Sequence, residues 1–293
     1  MSIENIKKLR EMTGAGMMDV KKALDASNDD INLAIDWLRK NGVAKAAKKS
    51  GRIAAEGIIS IVSNSQKIVI VEINSETDFV ASNAAFKKGA AQIAIAILDS
   101  SLKSDDLVGA NELKTPAGTV AEVIAELTST IGEKISLRRF AIFNLKDQSV
   151  GFYVHSNSKI GAIVIGTKME SSLLRDIAMH VAAMSPQFLS MEDISKETKA
   201  KETALAKELL KDTLASKPEK VQEGIIRGKV NKTLGELILL EQPFVKDPSK
   251  KVKDLQGQGK IDKFIRYEVG EGIQKADNNF ADEVAAQLAS AKK

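Results

Sequence analysis

Two segments of the chain share one pattern, and this repeat limits the fold more than any other feature of the sequence. IVSNSQKIVIVEI at 61–73 resembles YVHSNSKIGAIVI at 153–165. The positions that match without gaps are Val62, Lys67 and Ile68 in the first copy and Val154, Lys159 and Ile160 in the second. Each copy places a polar turn between two apolar runs, which is typical of a β-hairpin. The sequence therefore predicts the same hairpin twice.

A helix is predicted after each hairpin. Its apolar residues at helical spacing are Phe86, Ala90, Ile93 and Ile97 after the first copy, and Leu174, Ile177 and Val181 after the second. Apolar side chains at this spacing line one face of a helix. The repeat thus predicts two related α+β subdomains with antiparallel sheets. In this alignment Phe79 corresponds to Ser171, so the second copy is expected to fold without that aromatic side chain.

The first 50 residues predict three short helices. The apolar positions are Ile3, Ile6 and Leu9 in the first, Val20 and Leu24 in the second, and Ile31, Ala34, Ile35 and Leu38 in the third. Residues 28–30 offer caps for the third helix, and Gly42 is its predicted end. The basic, alanine-rich stretch VAKAAKKSGR at 43–52 is expected to be a linker or an exposed helix.

Between about Ser190 and Leu240 the chain is highly charged and has a helical pattern. Two apolar stripes are predicted, one with Leu205, Leu209 and Leu214, the other with Val221, Ile225, Val230, Leu234 and Leu237. LASKPEK at 214–220 separates them. Two amphipathic helices with a short connection indicate an antiparallel helical hairpin, which we expect to project as an arm.

Four further elements complete the prediction. TVAEVIAELTSTIG is expected to be a helix that ends at Gly132, and KISLRRFAIF a strand after it. KFIRYEVGEG at 263–272 is predicted to be a strand that returns to the second subdomain. FADEVAAQL closes the chain as a short helix, with Phe280, Val284 and Leu288 on one side.

Composition limits the classes of function. The chain has 43 basic and 39 acidic residues with the two signs interleaved, whereas nucleic-acid-binding proteins more often concentrate their basic residues. It has no cysteine, which excludes disulfides and thiolate metal sites. No apolar run approaches the ~18 residues that span a bilayer, and the N-terminus has no apolar signal core. We expect a cytoplasmic, soluble protein of roughly two domains.

The sequence lacks the usual motifs for catalysis and for cofactor binding. It has no GxxxxGK[ST] loop, and its two histidines, His155 and His180, do not form an HExxH motif. His180 lies in the apolar stretch AMHVAAM and is expected to be a core or boundary residue. We therefore predict no catalytic residue, no metal site and no cofactor.

The loop NSETDFVASN at 74–83 places Asp78, Phe79 and Val80 in succession between a predicted strand and a predicted helix. In one interpretation Thr77 or Asp78 caps the helix and Phe79 packs inward. In the other, Asp78 and Phe79 (here called the wedge) face outward, and Phe79 enters an apolar pocket of a partner protein. Aromatic anchors of this kind dominate many interfaces. The pattern of residues leaves both interpretations open.

Three other residues, Met17, Met18 and His155, also have two interpretations. Met17 and Met18 are adjacent in a predicted helix, so at least one of them should lie at the surface, where thioethers suit contacts. Packing of both methionines in the core is the alternative. His155 lies beside the SNS turn, and it is expected either to be a solvated turn residue or to contact a partner.

In this order, several motifs resemble those of the elongation factor Ts family, the nucleotide-exchange factors for the GTPase elongation factor Tu. LREMTGAGMMDVKKAL at 9–24 resembles the N-terminal signature, GRIAAEG the linker and TDFVASN the core signature. AMHVAAM, QPFV and RYEVGEGI fit later motifs. The resemblance covers essentially the whole chain. One departure is Ser75, because the family often has Cys shortly before TDFV.

The resemblance implies a multidomain α+β fold. It implies a ubiquitin-associated-like three-helix module with its linker at 1–50 and a first core subdomain at 51–140. The second core subdomain would comprise 141–185 and 230–272, with a helical dimerisation arm inserted at 186–229. A C-terminal module would occupy 273–293.

The resemblance also implies roles for particular residues. Asp78 and Phe79, flanked by Thr77 and Val80, would insert beside the nucleotide site of elongation factor Tu and dislodge Mg²⁺, which promotes release of GDP. His155 would touch the same GTPase domain. A second grip on that domain would involve the C-terminal helix and positions of the N-terminal module, namely Arg10, Met17, Met18 and Lys21.

Other classes of function remain as alternatives. The best rival is a protein-binding adaptor that uses the three-helix module and the arm without accelerating GDP release. An RNA-binding translation protein is third and a hydrolase a distant fourth. The leading expectation is an exchange factor without covalent chemistry, which binds neither nucleic acid nor membrane directly and which could pair with itself through the arm.

Overall fold

The computed structural model describes residues 2–215 and 217–274. Helices and antiparallel strand pairs are mixed along the chain, so the fold class is α+β, as predicted. The chain divides into two units. Among the described residues, the first unit comprises 2–62, 71–142 and 268–274, and the second comprises 63–70, 143–215 and 217–267.

The chain begins with three helices, α1 (Ile3–Thr13), α2 (Met17–Ala26) and α3 (Ile31–Lys49). The N-cap side chains of Ser2 and Asp30 accept hydrogen bonds from the first turns of α1 and α3. The apolar residues buried between the helices are Leu9, Val20, Ala23, Leu24 and Ala34. The three predicted helices are present.

The predicted end of α3 at Gly42 is wrong, because the helix continues to Lys49. Gly42 is buried in the helix, and a Cβ atom there would lie 3.7 Å from the carbonyl oxygen of Ala125 and from Cβ of Ser129. These distances are ordinary van der Waals contacts, so α3 packs against a neighbouring helix at Gly42, and this packing offsets the low helix propensity of glycine. Of the two interpretations of residues 43–52, the helical one is correct up to Lys49.

The first hairpin and its helix are followed by a third strand. The elements in chain order are β1 (Glu56–Ser63), β2 (Lys67–Ser75), α4 (Asp78–Ser82), α5 (Ala84–Leu98), α6 (Leu107–Glu112), β3 (Lys114–Thr115), β4 (Gly118–Thr119), α7 (Val120–Ile131) and β5 (Ser136–Asn144). The sheet order is β1-β2-β5. β2 is buried from Ile68 to Ser75, and α7 ends at Gly132, which has φ 89°.

The second hairpin is likewise followed by a long helix and, later in the chain, by a third strand. The elements are β6 (Ser149–Val154), β7 (Ile160–Thr167), α8 (Ser171–Met184), α9 (Lys196–Leu209), α10 (Lys211–Leu214), α11 (Glu219–Gly235), β8 (Pro243–Phe244), β9 (Asp247–Lys251) and β10 (Lys260–Glu268). The sheet order is β10-β7-β6, and β6 pairs with β7 in antiparallel register. α8 crosses β6 so closely that a Cβ atom at Gly151 would collide with the backbone of Leu174 and Arg175.

The two hairpins differ in the connection from their second strand to the long helix. After β7 the chain turns directly into α8, which begins at Ser171. After β2 it first forms the short helix α4 and only then the long helix α5. The wedge thus lies in a short helix that the second copy lacks, at the position that the repeat aligns with Ser171.

In the arm, α9 and α11 form the predicted pair of helices, but one predicted apolar stripe is wrong. Leu205 and Leu209 are 52% and 66% exposed, while Ala206 is buried against α11. The small side chain of Ala206 permits close approach of the helices, so the buried stripe shifts by one position. Val221, predicted for the other stripe, is 46% exposed. Of the other predicted positions, Leu214, Val230 and Leu234 are buried in the arm's core and Ile225 packs against it, whereas the buried Ile226 was not predicted.

The predicted C-terminal helix with Phe280, Val284 and Leu288 lies outside the described residues. The strand predicted from KFIRYEVGEG corresponds to β10, which ends at Glu268. In residues 2–215 and 217–274 there is no helix with both the length and the apolar character needed to cross a bilayer.

Candidate functional site

The wedge lies at the start of α4, a helix of five residues. Thr77 is its N-cap: the backbone is extended there (φ −123°, ψ 158°), and the hydroxyl oxygen accepts a hydrogen bond from the Val80 amide at 3.4 Å. Of the two caps that the sequence offered, Thr77 is the correct one. A helix this short is not stable by itself in water, so its shape depends on the groups that hold its ends.

Glu133 holds the N-cap from the loop between α7 and β5. Its carboxylate accepts two hydrogen bonds from Thr77, one from the backbone N–H at 2.9 Å and one from the hydroxyl at 2.7 Å. The Ser75 hydroxyl donates to the Thr77 carbonyl oxygen at 2.9 Å. The cap residue is therefore fixed at its amide, its side chain and its carbonyl group.

A second carboxylate secures the same loop. Glu76 accepts a hydrogen bond from the Lys134 amide at 2.5 Å and pairs with the Arg52 guanidinium at 3.2 Å. The Lys134 ammonium in turn donates to the Arg52 carbonyl oxygen at 2.8 Å. Because Glu76 and Thr77 are adjacent, two neighbouring residues before α4 are joined to two neighbouring residues before β5.

The other end of α4 is also capped. The Asn83 side chain accepts hydrogen bonds from the amides of Ala85 and Phe86, which begin α5, at 2.8 and 3.2 Å. The Asn83 amide donates to the Val80 carbonyl oxygen at 2.9 Å. The chain therefore turns sharply between α4 and α5, and both ends of the short helix are fixed.

The two faces of α4 differ in exposure. Val80 and Ala81 are buried, at 8% and 7% exposure, and anchor the helix to the core. Phe79 is 85% exposed and Asp78 is exposed as well. The interpretation in which Phe79 packs inward is wrong. Leaving a large aromatic side chain in water gives up ~1.5–3 kcal/mol of burial energy, so folding alone does not account for a phenylalanine at this position.

The N-terminal residues that the resemblance singles out are all exposed. Arg10 lies in the last turn of α1, and Met17, Met18 and Lys21 lie in α2. Met17 and Met18 are 44% and 64% exposed, so the core alternative is wrong for both methionines. Each methionine lies about one helical turn before Lys21, and the three residues form a mixed apolar and basic surface.

His155 belongs to the second unit and lies in the turn between β6 and β7. Its ring is exposed, and Nδ1 lies 3.0 Å from the Asn157 side-chain oxygen. Its amide donates to the Ile160 carbonyl oxygen at 2.9 Å, which closes the turn. The histidine is thus an exposed turn residue, and an exposed ring in a fixed turn is accessible to a partner.

His180 is fully buried in α8, as predicted for a core histidine. Nε2 lies 2.9 Å from the Gln242 side-chain oxygen, and Nδ1 accepts a hydrogen bond from the Val245 amide at 3.2 Å. These partners fit a neutral ring with the proton on Nε2. Burial lowers the pKa of His180 and the hydrogen bond to Gln242 opposes that shift.

A buried ionic cluster around Glu72 was not predicted from the sequence. This carboxylate is fully buried in β2 and accepts hydrogen bonds from the Arg138 guanidinium at 2.8 Å, from Nε of Arg139 at 2.6 Å and from the Gly270 amide at 2.8 Å. Arg139 also pairs with Glu271 at 3.0 Å. The cluster ties the segment after β10 to strands β2 and β5. The available signal was Glu72 itself, the one charged residue within the apolar run IVIVEI at 68–73.

The first unit also contains a cavity of about 380 Å³ next to the N-terminal helices. Met12, Leu38 and Val43 line it together with Glu126 of α7. Burial raises the pKa of Glu126, and the charge of Arg39 opposes that shift. In the part of the chain that the structure describes, no three histidine, aspartate or glutamate side chains are grouped as metal ligands.

Comparison with known proteins gives a consistent result. The sequence model of the family described as Elongation factor TS matches residues 76–271. A protein named Elongation factor Ts from Mycoplasmopsis pulmonis is 44% identical over 291 residues, which cover 97% of this chain and 96% of the relative. Relatives with the same name are 46% identical in Lacticaseibacillus casei (97% of each chain) and 43% identical in Limosilactobacillus fermentum (98% of each chain).

Proposed function

Because this chain belongs to the elongation factor Ts family, we propose that it is a guanine-nucleotide exchange factor of translation elongation, which binds elongation factor Tu and promotes release of GDP. One observation carries the finer part of the proposal. Phe79 is 85% exposed on a helix whose two ends are capped. An aromatic side chain held in this way is suited to enter a pocket of another protein.

In the proposed mechanism the wedge enters the GTPase beside its nucleotide site. Phe79 would be buried in an apolar pocket there, and Asp78 would bring a negative charge close to the bound Mg²⁺ and phosphates. The ion bridges the phosphates to the GTPase and is among the largest charges in such a site. Displacing it would weaken the binding of GDP without any covalent step.

Thermodynamic linkage limits how this can work. If the factor weakens the binding of GDP and Mg²⁺, these ligands must weaken the binding of the factor by the same ratio. The wedge must therefore leave again when GTP binds. An aromatic side chain on a preformed helix fits this requirement, because the helix loses little conformational entropy each time the wedge is inserted.

The remaining exposed positions are proposed as contacts that hold the GTPase. His155 would touch the same domain, and Arg10, Met17, Met18 and Lys21 would form a second grip. Thr77 and Val80 have a different part, because Thr77 caps α4 and Val80 is buried beneath it. These two would keep the wedge in place. We expect changes in the second grip to alter affinity more than the maximal rate of exchange.

The finer description of the domains is part of the same proposal. Residues 1–50 would be a ubiquitin-associated-like module, 186–229 a dimerisation arm and 273–293 a C-terminal module. The two core subdomains would be 51–140 and the pair 141–185 with 230–272. The factor would work in the cytoplasm, where translation takes place, without direct binding to nucleic acid or membrane and with the option of pairing through its arm.

The proposal is tested by the release of fluorescent GDP from elongation factor Tu in a stopped-flow instrument. We expect a substoichiometric amount of this protein to accelerate release over many turnovers. Raising the Mg²⁺ concentration should raise the concentration of factor needed for half-maximal acceleration, because ion and factor compete through linkage. If the protein binds the GTPase without accelerating GDP release, the adaptor is favoured instead. If it neither binds nor accelerates release, the exchange-factor and adaptor hypotheses are both refuted.

A further inference from the structure

We propose that Glu133 is a positioning residue for nucleotide exchange, acting on the partner only through the orientation of Asp78 and Phe79. This inference rests on the proposed function of the wedge. Glu133 itself lies outside α4, in the loop between α7 and β5, and the resemblance assigns it no role.

The geometry around Thr77 carries the inference. The two oxygens of Glu133 accept separately from the Thr77 amide and the Thr77 hydroxyl, at 2.9 and 2.7 Å. Because the hydroxyl proton points to Glu133, the hydroxyl oxygen keeps a lone pair for the Val80 amide. Glu133 therefore selects the rotamer in which Thr77 caps α4. Hydrogen bonds to a carboxylate are also about twice as strong as neutral ones.

The orientation of the wedge depends directly on this cap. Asp78 is the first residue of α4 and Phe79 the second, so both follow the fixed backbone of Thr77 within one turn. A helix of five residues has too few internal hydrogen bonds to keep this turn by itself. If the cap loosened, the buried Val80 would still hold α4 to the core while Phe79 lost its fixed direction.

Glu133 is itself held in place on both sides. Before it, α7 ends at Gly132, whose amide donates to the Thr128 carbonyl oxygen at 3.0 Å. After it, the Lys134 amide donates to Glu76 at 2.5 Å and the Ile135 amide to the Thr128 hydroxyl at 3.2 Å. The loop is therefore fixed, and Glu133 holds the wedge in a constant position relative to α7.

The decisive variant is Glu133→Gln, which keeps the size of the side chain. The side-chain oxygen of glutamine can accept one hydrogen bond from Thr77. The NH₂ group cannot accept the other one, because it is itself a donor. Thr77→Val removes the hydroxyl and keeps the shape, so it should give a similar defect. Glu112→Gln is the matched control, because Glu112 is an exposed carboxylate at the end of α6.

The experiment measures GDP release from elongation factor Tu as a function of factor concentration. For Glu133→Gln we expect the rate at saturation to fall about tenfold, the effect of losing a hydrogen bond to a charged group, with little change in the half-saturating concentration. The melting temperature should fall by only a few degrees, as expected for the loss of one hydrogen bond in a protein of this size. Glu112→Gln should behave as the native protein does.

A double-mutant cycle separates positioning from a merely structural role. If Glu133 acts only through Asp78 and Phe79, then adding Glu133→Gln to a variant that carries both Asp78→Ala and Phe79→Ala should cause no further loss of rate. A full additional loss in that background would overturn the inference, and so would a native rate for Glu133→Gln alone. In both cases a native protein that accelerates release, and a Phe79→Ala variant with a lower maximal rate, would leave the proposed function standing. Absence of acceleration by the native protein would refute both.

Discussion

Replacing Phe79 by alanine separates exchange activity from folding. Its side chain is 85% exposed, so it adds little to the core of the free protein. Alanine also has the higher helix propensity, and α4 should persist. We therefore expect the free energy of unfolding to change by less than ~0.5 kcal/mol, the usual range for surface substitutions.

The effect on exchange depends on the same exposure. Complete burial of a phenylalanine side chain is worth ~1.5–3 kcal/mol. With 85% of the side chain available for burial, the partner can recover roughly 1.3–2.5 kcal/mol. If this energy is realised only when the wedge is inserted, the maximal rate of GDP release should fall roughly eight- to sixtyfold.

Stopped-flow release of fluorescent GDP from elongation factor Tu measures this change. The rate at saturating factor should fall, while the half-saturating concentration should stay close to that of the native protein. Val108→Ala is the matched control, since Val108 is an apolar side chain of α6 with 78% exposure. Circular dichroism and thermal unfolding check that both variants are folded.

Three results would refute this reasoning. If Phe79→Ala keeps the native maximal rate, the exposed ring does not contribute to exchange, even if the native protein accelerates GDP release. A large loss of folding stability would show that the ring packs in the free protein. An equal loss of rate in Val108→Ala would show that the effect is not specific to α4.

Three further predictions concern stability. Glu72→Leu should lower the free energy of unfolding in urea by about 1–3 kcal/mol, because it leaves two half-buried guanidinium groups without their carboxylate; a change below ~0.5 kcal/mol would contradict this role. Leu234→Ala should cost about 2–5 kcal/mol in the same assay, whereas Leu209→Ala should stay within ~0.5 kcal/mol, and equal effects would contradict the observed packing of the arm. Burial holds the pKa of His180 in the folded protein below its ordinary value of 6.5. The contribution of the neutral ring to folding stability is therefore complete above pH 6.5, and it is lost as the pH falls through the folded pKa. The melting temperature should therefore fall between about pH 7 and pH 5, and fall less in His180→Gln; parallel curves would refute the linkage.

Much of the fold could be predicted from periodicity. The repeat predicted both hairpins and the helix after each, because alternating and helical apolar patterns are local properties of the sequence. Errors occurred where packing between distant segments decides. Gly42 has the features of a helix end, yet α3 continues through it because α3 packs against α7 there. Ala206 is buried in place of its leucine neighbours, since the distance between helices favours the smaller side chain.

In the candidate site, too, local features could be predicted from the sequence, whereas features that depend on packing could not. The residue types of TDFV and their place after a strand were visible in the sequence, but whether Phe79 packs inward was open. Its exposure depends on the turn between α4 and α5 and on which face of α4 Val80 occupies. Neither can be obtained from spacing in five residues, because so short a helix has no periodic signal of its own.

The sequence by itself determined the α+β class, the two related hairpins, the arm and the position of the wedge, since each depends on residues close together in the chain. Only the tertiary structure decided that Phe79 faces outward and that Glu133 holds its N-cap. It also decided that Glu72 binds two arginines from another strand. These contacts join residues more than fifty positions apart. Hydrogen bonds and close packing depend on three-dimensional distance, which a one-dimensional pattern does not contain.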